Sequence, residues 1–336
     1  MRSPDGRCVM GRLHATAVAV ALVVVGLSAA ACGGSVAAPV ASSPAAASVT
    51  PANGTAAPLA AASPTQSPAA PTPAPPSPGP SFVPPTVATF APASGTPSAT
   101  WDLVALGDSN VSGWGVRDDQ PFSPQAAFPG VYAGLLADQQ GVAVTLHSYY
   151  PDQLGNEVRT VAEWVDVVRA DPSMRADLAA AEVVVLLIGY HDMIPALMLG
   201  SCPPDWPALR DCLDKATAPM PAAFDALDGE VRGLVPSDAT VLVADYGIPG
   251  PVYDTWSAEP YWPEFRQAAF EGWRDALEAA AVRHGFTVVH MYAAVNDANG
   301  KPRWNWDEVT SDGWHYNAEG HRRIAGIVLA QDGFPD

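Results

Sequence analysis

Six apolar residues in a row, in Glu182-Val-Val-Val-Leu-Leu-Ile-Gly189, constrain this chain most. A run that short and that apolar, closed by glycine, reads as a strand buried on both faces. Strands of this kind belong to parallel sheets with helices over both sides. Four further runs fit the same reading: Leu103 to Leu106 leading into Gly107, Val142 to His147, Thr240 to Tyr246, and Phe286 to Met291. Between them lie stretches with helical spacing: 128–139, 157–170, 221–234, 263–284 and 317–330. In 157–170 the apolar residues fall at 158, 161, 164, 165 and 168, one face of a helix. The alternation predicts an α/β fold with a five-stranded parallel sheet, and no internal repeat interrupts it.

The ends of these strands carry the chemistry. The first run closes as Leu106-Gly-Asp-Ser-Asn110, which puts Ser109 at a strand's carboxyl end, where open α/β sheets build their sites. Far downstream, Asp312 and His315 stand three residues apart in Ser311-Asp-Gly-Trp-His-Tyr-Asn317. A helical turn would bring both side chains to one face. Ser109 is then the candidate nucleophile, His315 its base, and Asp312 the group that orients the imidazole. Asp108 reads as a turn or capping residue, and Asp192 as structural. His147, His284, His290 and His321 read as scaffold. Asn296-Asp-Ala-Asn-Gly300 holds a fragment of a calcium-loop pattern but lacks the rest, and reads as a turn. No metal and no cofactor is expected.

The two blocks around Ser109 and His315 resemble the SGNH, or GDSL, hydrolase family across residues 101–336. The closing block extends from Asp312 through Asn317-Ala-Glu-Gly-His-Arg-Arg-Ile-Ala325. The resemblance implies a flavodoxin-like three-layer α/β/α sandwich and ester hydrolysis through a covalent acyl-enzyme. It also implies three oxyanion donors: the Ser109 backbone N–H, a glycine N–H after the second strand, and an Asn side chain after the third. Gly155 is the candidate glycine. At the third strand the family reads Gly-x-Asn-Asp, whereas this chain has Gly189-Tyr190-His191-Asp192. An imidazole N–H at His191 can donate in place of the amide, with different geometry and protonation.

The rest of the chain bears on location and substrate. Arg2, Arg7 and Arg12 precede an apolar run from Ala15 to Ala31, followed by Cys32. Basic, apolar, then small residues is the pattern of a secretory signal over 1–31. The stretch also resembles a bacterial lipoprotein signal, with Cys32 the lipidated residue, although Ala29 stands where that family has Leu. An uncleaved anchor is the third reading. All three place the remainder outside the cytoplasm. Residues 32–100 carry no charged side chain and abound in Ala, Pro, Ser and Thr, so they read as a disordered tether. The folded part is then 101–336.

Of the four cysteines, Cys202 and Cys212 are expected to be bridged, as an exported context favours; two buried thiols is the alternative. A net charge of −18 disfavours nucleic acid and anionic headgroups as partners, so the only membrane contact expected is the N-terminal anchor. The charge says little about neutral esters, and a small-molecule or glycan ester is the expected substrate. Trp304, Trp306 and Trp314 lie near His315 in sequence and could stack on a sugar ring or hold an acyl chain; loop anchoring is the other reading. Glycan deacylation, long-chain lipase or phospholipase action, and a catalytically weakened surface-binding protein all remain open at this point.

Overall fold

The computed structural model describes residues 85–116, 122–151, 160–197, 202–203 and 205–335. Six strands form one sheet: β1 (Thr86–Phe90), β2 (Thr100–Gly107), β3 (Ala143–Tyr149), β4 (Val183–Leu187), β5 (Thr240–Ala244) and β6 (Thr287–Val289). Their order is β1-β3-β2-β4-β5-β6. The last five run parallel, while β1 runs antiparallel to β3, from Thr86 opposite Ser148 to Phe90 opposite Val144. Without β1 the order is that of a flavodoxin-like sheet, in which the chain reverses its direction of winding between two central strands. Here those strands are β2 and β4. Every residue of β4 is buried, as its apolar run requires.

The sequence reading expected five parallel strands and a tether reaching to residue 100. β1 corrects both expectations, because it adds a sixth strand from within that segment. It is an edge strand with Val87 and Thr89 exposed, so it offers only a weak apolar signature between prolines. The signal segment, Cys32 and the tether up to residue 84 lie outside the described residues.

Helices cover both faces. The first is one turn, α1 (Ser109–Ser112), followed by α2 (Phe128–Gln140), α3 (Val161–Ala170), α4 (Pro172–Ala180), α5 (Tyr190–Leu197), α6 (Ala208–Thr217) and α7 (Met220–Leu234). Then come α8 (Gly250–Trp256), α9 (Trp262–Arg266), a π-helical turn (Gln267–Glu271) that joins it to α10 (Gly272–Arg283), α11 (Met291–Val295), α12 (Trp306–Val309) and α13 (Ala318–Leu329). One group packs α2 with α13; another packs α3 and α10 against α7. Local chemistry sets the boundaries. Thr160 and Glu163 form a reciprocal capping box at the start of α3, and Asn317 accepts from the N–H groups of Glu319 and Gly320 at the start of α13. Cys202 and Cys212 are bonded, with Cα atoms 5.6 Å apart, and tie the approach to α6 onto that helix. Among the described residues no helix is long and apolar enough to cross a membrane.

Two strand tips at the reversal need glycine. A Cβ on Gly107 would sit 2.6 Å from the Leu187 carbonyl oxygen, and one on Gly189 2.8 Å from the Phe224 and Trp273 rings. Gly189 also has φ +115°, a conformation disfavoured for any residue with a side chain. The first glycine lets β2 lie close against β4, and the second lets the chain turn out of the sheet beneath α7 and α10.

One buried carboxylate works against stability. Asp228 of α7 is 2% exposed and its Oδ2 has no hydrogen-bond partner among the described residues. Burial, with Asp225 nearby, pushes its pKa up to about 7. The folded state therefore keeps a proton that the unfolded chain gives up near pH 4, so stability falls as pH rises from there through about 7. Asp228→Asn should stabilise the protein by more than about 1 kcal/mol at pH 8 and much less at pH 5. Urea midpoints at both pH values test this; equal gains at the two would contradict it.

Candidate active site

Ser109 is the first residue of α1, half-buried between the buried Asp108 and Asn110. As a helix's first residue it carries an N–H with no partner inside the helix. Asp108 caps that turn, its Oδ1 accepting from the Asn110 N–H at 2.8 Å. Its Oδ2 accepts from the Tyr246 hydroxyl, which also lies 3.0 Å from the Leu187 carbonyl. Tyr246 follows β5, so one buried carboxylate joins the end of β2 to the segment after β5. Tyr190 stacks on Tyr246, with ring centroids 5.1 Å apart. Burial, and then the Asp108 charge, push the pKa values of Tyr190, Tyr246 and Tyr316 well above the ordinary phenol value. The phenols stay neutral, and that of Tyr246 serves as donor.

Asp312 and His315 meet in a turn of irregular chain. The expected helical turn is absent, because Gly313 takes φ +87° and the segment closes as a loop between paired Thr310 and Tyr316. The Ser311 N–H donates to the His315 carbonyl across it, at 2.9 Å. The side chains still meet: His315 Nδ1 lies 2.7 Å from Asp312 Oδ2. Asp312 Oδ1 accepts from the N–H groups of Trp314 and His315, at 2.9 and 2.8 Å. Burial opposes ionisation of Asp312, but its hydrogen bonds from the His315 backbone and ring and from the Trp314 N–H outweigh it, and the pKa ends below the usual carboxylate value. An ionised acceptor fixes the proton on Nδ1 and leaves Nε2 with its lone pair.

The loop after Ser109 packs onto this turn. The Trp114 N–H donates to the Ser109 carbonyl at 3.0 Å, and the Trp114 ring lies 5.9 Å from the His315 ring. A Cβ on Gly115 would run into Ser311 Oγ and lie 3.5 Å from His315 Cβ. Among the described residues Ser109 Oγ makes no hydrogen bond to His315; catalytic hydrogen bonds often tighten only when substrate binds.

The remaining expected site residues divide. His191 sits half-buried in the first turn of α5, directly beyond the tip of β4. Asp192 beside it accepts from the Val161 N–H at 3.0 Å and so anchors the start of α3. Burial raises its pKa to about 6. Gly155 lies outside the described residues. Trp306 is buried and donates to the Gly313 carbonyl at 2.6 Å, while Trp304 lies under the Arg323 guanidinium and against Tyr316. Both anchor the loop that carries His315. Trp314 is partly buried against the core.

The histidines read as scaffold have partners. His321 is fully buried and accepts from the Phe128 N–H at 3.0 Å, and burial pushes its pKa down to about 3. His147 lies between Asp102 and Asp177, and His284 against Asp225. Asp297 accepts from the N–H groups of Asn299 and Lys301, which makes 296–300 a turn.

Sequence reasoning missed an aromatic series beside His315. Trp114 is 40% exposed; Phe122 follows at 5.3 Å and Tyr150 at 5.5 Å beyond it. A tryptophan five residues after the candidate nucleophile, between two glycines, was the available signal.

Residues 105–323 match the model of the GDSL-like Lipase/Acylhydrolase family. Among solved structures, the lipase Lip_vut3 from a goat rumen metagenome aligns at 15% identity and TM-score 0.52, covering 70% of this chain and 98% of its own. A two-domain esterase active on acetylated mannans aligns at 13% identity and TM-score 0.40, covering 70% and 48%. A GDSL-like lipase from Bacteroides thetaiotaomicron gives 14% and 0.38, covering 69% and 87%. The first likeness shows a shared fold, and the lower scores of the other two add nothing to it. No curated protein matches. The class is that of hydrolases acting on carboxylic esters. Within it, the chain belongs to the GDSL-like lipase/acylhydrolase family.

The framework around Asp108 can be probed directly. Tyr246→Phe removes one donor from a buried carboxylate and keeps the ring. It should cost about 1–3 kcal/mol of stability and lower ester turnover, because Asp108 fixes the turn that carries Ser109. Urea denaturation and a nitrophenyl acetate assay check both effects; an unchanged midpoint would contradict the role given to Tyr246.

Proposed function

We propose that the protein is an exported serine esterase that works through Ser109, His315 and Asp312. The observation that carries this reading is the 2.7 Å contact between Asp312 and His315, on a loop packed against the turn that follows Ser109. With its proton fixed on Nδ1, His315 presents Nε2 as base. It takes the Ser109 proton while Oγ attacks the ester carbonyl carbon. The tetrahedral intermediate collapses, and His315 returns the proton to the departing alcohol. Water then attacks the acyl-enzyme, its proton passing to His315 and on to Ser109. Asp312 stays ionised throughout and stabilises the imidazolium. The oxyanion donors in this reading are the Ser109 N–H, His191 and Gly155. A single such donor is worth a factor of about 10²–10³ in rate, so the histidine sets much of the enzyme's speed.

The substrate in this reading is a neutral short-chain ester, with a glycan as its alcohol. The acidic charge disfavours anionic lipids, and Trp114 offers a sugar ring an exposed face beside His315. Export is supported by the leader pattern and by the Cys202–Cys212 disulfide, which suits an oxidising compartment. Lipidation at Cys32 would hold the domain on the outer face of the membrane.

Turnover of short- and long-chain nitrophenyl esters tests the proposal. Ser109→Ala and His315→Ala should each lose about four orders of magnitude or more. Short chains should be preferred, and faster turnover of long chains would favour the lipase reading. No turnover by the parent protein would favour a surface-binding role. His191→Asn should change kcat, and an unaltered kcat would remove His191 from the oxyanion site.

A further inference from the structure

One strand in from the β6 edge of the sheet, Asp245 follows the last residue of β5 and is 1% exposed. Its Oδ1 accepts from the Tyr292 N–H at 2.7 Å, while Oδ2 is buried with no hydrogen-bond partner among the described residues. Burial raises the Asp245 pKa to about 6, and a carboxylate oxygen left this way is costly unless a proton or a cation completes it. Two other segments bring ligand atoms close to this carboxylate: Glu278 from α10 and His290 directly after β6. One donor atom from each of the three lies within 4.8 Å of the others, and His290 Nδ1 is 3.4 Å from Glu278 Oε1. All three line an open cavity of about 430 Å³, where three carboxylates face two guanidiniums.

We propose that Asp245, Glu278 and His290 bind one divalent transition-metal cation of the Zn²⁺ kind. An imidazole beside two carboxylates suits such an ion, whereas Mg²⁺ and Ca²⁺ sites are built from oxygen. Bonds of about 2.0–2.2 Å put tetrahedral donors about 3.3–3.6 Å apart, so donors now spread over as much as 4.8 Å must draw together by about an ångström. Asp245 is fixed by burial and by Tyr292, but the His290 side chain is 52% exposed and Glu278 is long, so these two supply the movement. Arg274 now holds Glu278, Nε to Oε1 at 3.5 Å, and lies 4.5 Å over the Tyr292 ring. Giving up Glu278 leaves Arg274 stacked on that ring. The fourth position opens to the cavity and takes water. The ion would tie the ends of β5 and β6 to α10, one residue from the Tyr246 that holds Asp108. None of this rests on the proposed triad.

Calorimetric titration of Zn²⁺ into the metal-free full chain at pH 7.5 tests the site. One saturable equivalent is expected, with a raised melting temperature. His290→Gln, at an exposed position that leaves the fold intact, should weaken binding at least about tenfold, and so should Asp245→Asn. His315→Ala should retain it. No saturable binding, or full affinity surviving His290→Gln, overturns the proposal.

Discussion

The buried carboxylate of Asp108 holds the candidate site together. One oxygen fixes the first turn of α1, and the other takes the hydroxyl of Tyr246, 138 residues away in sequence. The contact spans the sheet from the end of β2, past β4, to the end of β5. It fixes the turn from which Ser109 projects at the point where the winding of the sheet reverses. Gly107 serves the same end, because a side chain there would push the two central strand tips apart, while Gly189 lets the chain leave β4 against the Phe224 and Trp273 rings. A serine held this firmly needs little further ordering when substrate arrives.

The second half of the site comes from the opposite end of the chain. The turn containing Asp312 and His315 has no regular structure, and side-chain contacts supply its rigidity. Trp306 pins Gly313 from behind, Asn317 caps α13 immediately after it, and Gly115 packs against it from the Ser109 side. Three hydrogen bonds keep Asp312 ionised despite partial burial, and the imidazole is oriented as a result. Trp304 and Trp306, close to His315 in sequence, thus serve the loop, while Trp114, distant in sequence, lies against the imidazole.

The sequence makes the parallel strands legible because burial on both faces leaves a run such as Val183 to Ile188 with no polar residue. The long amphipathic helices are legible for the matching reason. β1 is not, since an edge strand needs only half its side chains apolar and the prolines around it suggest a tether. α4 and α8 lie in stretches where no apolar stripe is long enough to stand out from the loops around them, whereas α6 does carry one, at Leu209, Cys212, Leu213 and Ala216, hidden beside a cysteine pair and prolines that signal a loop. At the site, Ser109, Asp312 and His315 could be singled out because each sits in a compact block with strand or turn signals. The Asp108–Tyr246 bond and the Asp245, Glu278 and His290 cluster could not, because residues brought together only by strand order leave no spacing to read.

The most direct measurement is covalent. The protein is treated with a fluorophosphonate, digested, and its peptides mapped by mass. One adduct is expected, on Ser109, whose rate of formation collapses in His315→Ala although Ser109 is intact. An adduct on another residue, or undiminished labelling without the imidazole, would contradict it.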